Sequence, residues 1–436
     1  MSVCKGDKRL KVAIIGGGPA GLGTAVELQK LPFVDWKLYE KRPRLSEIGG
    51  GFTLQPQTRR LLEHFGVADN INAEDYFQSP GGEIEQRRNG RTGELLVEKF
   101  NPEDVPLHHQ SCRIARAKLQ NALIRSIDHD NVHLSKRFVA MERVSNNQLQ
   151  ITFEDGTGDN VYLLVAADGI RSSIRQLCFP NHVLQYNGQS VYRTIISKTQ
   201  ASEIGGIPWA PVFWKHVSGL YVFTCPLGND DFEVTVRIRR TQEEQQPVNC
   251  GRPFDLYEIL RLAAKGDTQE FALFSGMNLK RITSGGNIAL IGDASHALLG
   301  NFGSGAGFAL EDVYALTRAL EWAWSRDQKL DIALEIFDAI RSPHYERLHR
   351  LVDRFSTIKA ELRQESLSLD LEIAERVKRI SLASQSWMYY CAIERFVGEA
   401  LCEADRDIGW EAMPSQSMGT ADRGKGLVQT TDAAKS

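Results

Sequence analysis

Along the first 185 or so residues, short apolar and β-branched runs alternate with stretches whose apolar positions recur at helical spacing. Val12–Ile15, Trp36–Tyr39, Leu149–Phe153 and Tyr162–Ala167 read as strands, and Leu22–Gln29 and Ala117–Ile127 as helices, a pattern that predicts an α/β fold. From about Gly188 to Phe274 the texture changes. Val191–Ser197, Gly219–Cys225 and Phe232–Ile238 are β-branched and aromatic runs bounded by Pro, Gly and Asp, which predicts a sheet inserted as its own layer. The α/β pattern then returns, with a strand at Asn287–Gly292 and a helix at Gly307–Ala323, before long amphipathic stretches take over beyond Glu335. The predicted organisation is one α/β domain in two pieces, 1–187 and 281–335, with an inserted mixed β-sheet domain at 188–280. A helical region at 336–414 and a disordered polar tail at 415–436 complete it.

Composition narrows the class more than the chemistry. The 436 residues are 42% hydrophobic and 25% charged, ordinary values for a folded soluble protein. Lys plus Arg number 52 against 55 Asp plus Glu, a balance of −3 that argues against a nucleic-acid partner. Seven scattered cysteines without a C-x-x-C pair suggest reduced thiols in a cytoplasmic protein and no zinc or other metal site. The apolar run Val12–Ile15 is too short for a signal peptide, and Trp387–Ile393 is too short to span a bilayer, so no transmembrane segment is expected. The 37 glycines are clustered, and the clusters carry the chemistry.

The first cluster, Gly16-Gly17-Gly18-Pro19-Ala20-Gly21, is a G-x-G-x-x-G that follows a strand and opens a helix. Gly16 makes the tight turn, Gly18 admits a pyrophosphate to the backbone, and Gly21 allows close packing of helix on strand. The free N–H groups and positive dipole end of that helix then hold the anion. A second strand ends at Glu40, 19 positions after Gly21, where an acceptor for a ribose hydroxyl belongs. This cluster alone does not separate FAD from NAD. Two later motifs do: Ala167-Asp168-Gly169-Ile170-Arg171, and Gly292-Asp293-Ala294-Ser295-His296 followed by Gly303-Ser304-Gly305-Ala306-Gly307.

Taken in order, these motifs resemble the class A flavoprotein aromatic monooxygenases, the group of para-hydroxybenzoate and salicylate hydroxylases, with the fungal phenol hydroxylases and dearomatases of polyketide pathways nearest in pattern. The resemblance runs from about residue 10 to 410. It implies a Rossmann-type FAD-binding domain with Glu40 on the adenosine ribose and Gly50 and Gly51 on the adenine-ribose side. It also places Arg116 near the flavin's linking chain, Asp168 and Arg171 in a motif tied to FAD and nicotinamide, and Asp293 on the ribityl hydroxyls. Gly305, Ala306 and Gly307 would present N–H groups to the flavin. The sequence departs from the family where Lys118 replaces a usual acid and where Gly300 replaces a common proline bordering the flavin.

The resemblance further implies that NAD(P)H reduces FAD, that O2 then forms a C4a-hydroperoxyflavin, and that an aromatic secondary-metabolite substrate is hydroxylated or oxidatively dearomatised. A single dinucleotide fingerprint suits a nicotinamide that binds only transiently. Oxygen transfer is faster to a phenolate than to a phenol, so a cation or hydrogen-bond donor should hold the ionised substrate. Arg193, at a position similar to an arginine of the dearomatases, is the leading candidate, and Tyr221 its companion donor; a surface arginine and a core aromatic are the alternatives. His296 is expected to support the flavin loop rather than act as a base. Trp209, Phe213, Trp214 and His216 either line an aromatic pocket or pack a core, and Trp387, Tyr389 and Tyr390 either cap the pocket or serve a partner. Decarboxylating hydroxylation of a salicylate-like acid and epoxidation stay open, as does a non-enzymatic nucleotide-binding protein; halogenation is disfavoured by the lack of a W-x-W-x-I-P segment.

Overall fold

The computed structural model describes residues 9–46, 50–144, 147–239, 254–297, 303–383 and 385–409. The expected tail at 415–436 and the substitution at Gly300 lie outside the described residues.

Two sheets organise the molecule. The first has the order Thr283–Ser284, Ile288–Leu290, Leu163–Ala166, Leu10–Ile15, Val34–Tyr39, Val132–His133, and every pair is parallel except the edge pair at Thr283–Ser284. Its central strands are buried on both faces, as near-continuous apolar runs such as Leu163–Ala166 require. Helix Pro19–Leu28 starts with Pro at its first turn, where the missing N–H costs no hydrogen bond, and every residue from Ala20 to Leu28 is buried. Against it lies helix Gly305–Ser325. The close approach of the two is set at Gly23, where an added Cβ would stand 2.8 Å from Leu310 Cδ2.

The second sheet has seven strands, ordered Gln269–Gly276, Leu184–Ser197, Asp231–Arg239, Tyr221–Pro226, Val212–Lys215, Glu83–Asn89, Leu95–Phe100. It is mixed, because Val212–Lys215 runs parallel to Glu83–Asn89. Its last two strands come from well before the 188–280 insertion read from the sequence. Glu-Ile-Glu-Gln-Arg-Arg-Asn carries no apolar alternation, so nothing local assigns that hairpin to either sheet.

Alternation along the strands gives the second sheet two unlike faces. On one, Ile196, Val212, Trp214, Val222, Phe232 and Val234 form an apolar cluster with Ile259 and Ala263 of helix Phe254–Ala263. On the other, cross-strand pairing aligns Arg193, Thr235, Phe223, Phe213 and Arg87 in one row. Arg237, Tyr221 and Lys215 form the next. Helices Leu330–Gln364, Leu369–Leu382 and Ile393–Asp407 complete the chain. Among the described residues, no helix is long and apolar enough to cross a membrane.

Candidate active site

The parallel strands are in register, so the residues that follow them leave the sheet along one carboxyl edge. Gly16 N–H donates to the Tyr39 carbonyl at 2.9 Å, Ala167 N–H to Ile15 at 2.9 Å, and Ile291 N–H to Ala166 at 3.0 Å. Glu40 and the Gly292–Asp293 turn thus lie three strand spacings apart, roughly 14 Å, with the glycine turn between them. Gly16 has φ +114°, and a Cβ there would collide with the Ala167 carbonyl oxygen; a Cβ on Gly21 would collide with the Gly16 carbonyl oxygen. Gly18 caps the first helix with no side-chain hydrogen bond, so the first-turn N–H groups are left to face a ligand. Glu40 is buried, with Oε2 accepting from Gly17 N–H at 2.7 Å and Oε1 from Arg42 N–H at 2.9 Å. Gln120 Nε2 donates to the Gly17 carbonyl at 3.0 Å, a brace for the turn that the sequence did not reveal.

At the other end of this edge, Gly292 adopts φ +57° and sits against Ala20 and Ala309. Its N–H donates to Asp312 Oδ2 at 2.8 Å, and Asp312 is held in turn by Arg341 Nε at 2.7 Å. Arg175 is buried and ties two motifs together: it donates to the Asp293 and Ala294 carbonyls at 3.1 and 2.8 Å and to the Ile170 carbonyl. Asp168 turns one oxygen, Oδ2, to the start of the next helix, accepting from Ser173 N–H at 2.9 Å. Its buried Oδ1 has no hydrogen-bond partner among the described residues. Arg171 stacks over Phe274.

The long helix Gly305–Ser325 begins beside Asp293, whose Oδ1 would lie 3.7 Å from a Cβ on Gly305. Ser304 provides no side-chain cap. Gly307 faces Thr58, and a Cβ there would collide with Thr58 Oγ1. Thr58 Oγ1 and both amide atoms of Gln57 are buried without hydrogen-bond partners among the described residues. Buried polar atoms are nearly always paired, so this group is a candidate contact for a polar ligand. Neither residue stood out in the sequence, because a Gln-Thr pair in the first turn of helix Pro56–His64 carries no motif.

Gly50 and Gly51 lie where the glycine-rich segment meets the second sheet. Strand Gly51–Leu54 pairs with Cys112–Ala115 and carries them to the second sheet. A Cβ on Gly51 would stand 2.7 Å from Leu227 Cδ2, 2.8 Å from Arg113 Nη2 and 3.0 Å from Glu233 Oε2, while one on Gly50 would meet Glu233 and Arg193. Glu233 and Arg193 of the seven-stranded sheet are among their nearest neighbours, and the buried Arg113–Glu233 pair fills the volume a side chain would need. Arg116 lies next along this seam, its guanidinium 4.3 Å over the Phe52 ring. Lys118, the departure from the family acid, pairs with Asp75 at 2.6 Å.

Arg193 and Tyr221 share the sheet face that looks toward this seam. Arg193 Nε is buried with no hydrogen-bond partner among the described residues, and its guanidinium lies 5.7 Å from the Phe271 ring. Burial opposes ionisation of Glu233, but the neighbouring Arg113 and Arg193 charges outweigh it and hold the carboxyl below its usual range. Of the aromatic candidates, Phe213 packs on Tyr221 and Phe223 on this face. Trp214 belongs to the opposite, apolar face, with Nε1 donating to Thr224 Oγ1 at 2.9 Å, and the half-exposed Trp209 packs on Phe232 there. His296 is buried, stacked on Tyr345 at 4.1 Å and bonded through Nδ1 to Ser295 Oγ. Burial, reinforced by Arg341, pushes its imidazole well below the usual value, so it is neutral.

Residues 9–351 match the FAD binding domain family. The chain is 27% identical over 432 residues to a salicylate hydroxylase of Pseudomonas putida, covering 92% of this chain and 96% of that one. It is 30% identical over 337 residues to the 6-methylsalicylate 1-monooxygenase of Aspergillus terreus, covering 71% and 74%. The chain belongs to the class A FAD-dependent aromatic monooxygenases. Among solved structures, this flavoprotein superposes on a salicylate hydroxylase substrate complex with TM-score 0.68 at 22% identity, covering 91% of this chain and 98% of that one. CtdE in complex with FAD and a substrate gives TM-score 0.73 at 16% identity, covering 92% and 100%. These structural likenesses concern the fold. The flavoprotein's own residues fit FAD: a glycine turn at a helix N-terminus, a buried acceptor at Glu40, and polar atoms of Gln57 and Thr58, unpaired among the described residues, beside a second helix start.

Proposed function

We propose that the protein is a single-component monooxygenase that uses NAD(P)H and O2 to place one oxygen atom on a phenolic aromatic substrate bound against the polar face of the seven-stranded sheet. Bound FAD would supply the reduction of oxygen and its transfer, and this chain the positions, charges and exclusion of water. Along the carboxyl edge, the Gly16–Gly21 turn would hold the pyrophosphate, Glu40 the adenosine ribose, Asp293 the ribityl hydroxyls, and the helix start at Gly305–Gly307 the flavin ring. Arg116 would lie beside the linking chain. Asp168, whose Oδ2 caps a helix, would serve the site by shaping the turn that Arg175 ties to Asp293.

The observation that carries the substrate assignment is the buried Arg193 Nε, unpartnered among the described residues, on a face shared with aromatic side chains. A guanidinium there favours phenolate over phenol, and Tyr221, two strands away, adds a hydroxyl donor. Arg193→Ala is expected to retain bound flavin, seen at 450 nm, yet to lose product formation at least 100-fold across a panel of phenols followed by NAD(P)H oxidation and product mass. Turnover equal to the parent would remove Arg193 from the site. A second reading, decarboxylating hydroxylation of a salicylate-like acid, draws on relatives named for salicylate and 6-methylsalicylate. Gain of one oxygen with release of CO2 would select it over simple hydroxylation or dearomatisation.

A further inference from the structure

Lys215 ends strand Val212–Lys215 on the same sheet face as Arg193 and Tyr221. Its Nζ lies between two rings, 4.3 Å from the centroid of Phe213 and 4.7 Å from that of Tyr221. Its ionisable surroundings are lopsided. Arg87 and Glu85 come from strand Glu83–Asn89, Lys99 from Leu95–Phe100, and Arg237 from Asp231–Arg239. Tyr221 flanks it, and Tyr389, from the short helix Ser386–Tyr389, is buried near Glu85 and Arg87. Glu85 is the lone carboxylate of this group and already binds Arg87 at 2.6 Å and Lys99 at 3.0 Å. Among the described residues, no hydrogen bond or ion pair reaches Lys215 Nζ; the two ring faces and Glu85 favour its charge, while Arg87, Arg237 and Lys99 oppose it. A partly buried ammonium crowded by more cations than anions gives up its proton readily, so a lysine so placed exchanges it near neutrality. Burial, with repulsion from Arg87, lowers its ammonium to about 7.

We infer that Lys215 is the proton-exchanging residue of the aromatic site: as a neutral amine it takes the proton of the substrate's acidic hydroxyl, and the ammonium so formed holds the substrate as its anion. The substrate O–H bond breaks, its electron pair stays on oxygen, and an N–H bond forms on Lys215, so no oxidant or further reactant is needed. A substrate that arrives already ionised, such as an aromatic carboxylate, instead draws one proton from solvent to Lys215. This inference rests on the aromatic-monooxygenase reading above. Arg193 would then set the position of the anion and Lys215 its protonation.

The two roles separate in binding measurements on the FAD-loaded protein, with salicylate and phenol as probes and perturbation of the flavin spectrum as readout. In the parent, salicylate affinity should be level below pH 7 and then fall about tenfold per pH unit, with uptake of about one proton at pH 8 and little at pH 6. Phenol should bind with no net proton uptake at pH 8. Lys215→Met should weaken salicylate at least tenfold at pH 6 and abolish the proton uptake at pH 8. Lys215→Arg, which keeps the charge but does not titrate, should bind salicylate with a flat profile from pH 6 to 8. Either variant retaining the parental slope and proton uptake overturns the role of Lys215 alone. Parent protein that keeps its flavin but binds neither probe overturns the aromatic-substrate reading, and this inference with it.

Discussion

The carboxyl edge of the parallel sheet and the polar face of the seven-stranded sheet are built on opposite plans. Along the edge, the proposed FAD contacts are mostly backbone: glycine turns, helix starts and one buried carboxylate, each within a few residues of a strand end. Across the face, it is done by side chains on strands far apart in the chain, such as Arg87, Arg193, Tyr221 and Arg237, which meet only through register. At Gly16 and Gly21 the edge tolerates no added volume, whereas the face gathers charged side chains. On the proposed assignment, a ligand shared by many proteins would be held by the first plan and a ligand particular to one protein by the second.

Three substitutions sharpen that contrast. Gly21→Val should have the largest effect, because the new side chain runs into the Gly16 carbonyl; purified protein is expected to carry essentially no flavin absorbance near 450 nm. Arg113→Ala leaves Glu233 buried and without its main partner, which should lower stability by about 3–5 kcal/mol in denaturant unfolding. The glycine turn should be spared, so the remaining folded protein should still bind FAD. Glu40→Gln keeps the shape at the edge but weakens its acceptors from Gly17 and Arg42, and FAD affinity by flavin fluorescence should fall about tenfold, near 1.4 kcal/mol. An Arg113→Ala protein that folds normally but loses flavin selectively would erase the distinction between edge and face.

How much was legible follows the same division. Gly16, Gly18, Gly21, Glu40, Asp293 and Gly305 could be placed from local spacing, because a strand, a turn and a helix start impose their geometry on neighbours in sequence. Arg193 and Tyr221 could be named as candidates, but their shared face comes from Asp231–Arg239 pairing with both of their strands. Gly50 and Gly51 could be named but their surroundings could not, because a glycine pair says only that space is scarce. The neighbour that makes it scarce, Glu233, is more than 180 residues away in the chain. Gln57 and Thr58 escaped notice for a related reason, since a polar residue reveals its task only when burial and unpaired atoms are known.

The sequence by itself determined the α/β class, the dinucleotide turn and the family, since each depends on residues close together along the chain. Tertiary structure alone decided the membership of the seven-stranded sheet, which takes its hairpin from Glu83–Phe100, and the company of Lys215. Side-chain charge is visible in a sequence. Whether that charge is buried, paired or left alone depends on contacts between distant segments, which hydrophobic periodicity does not encode.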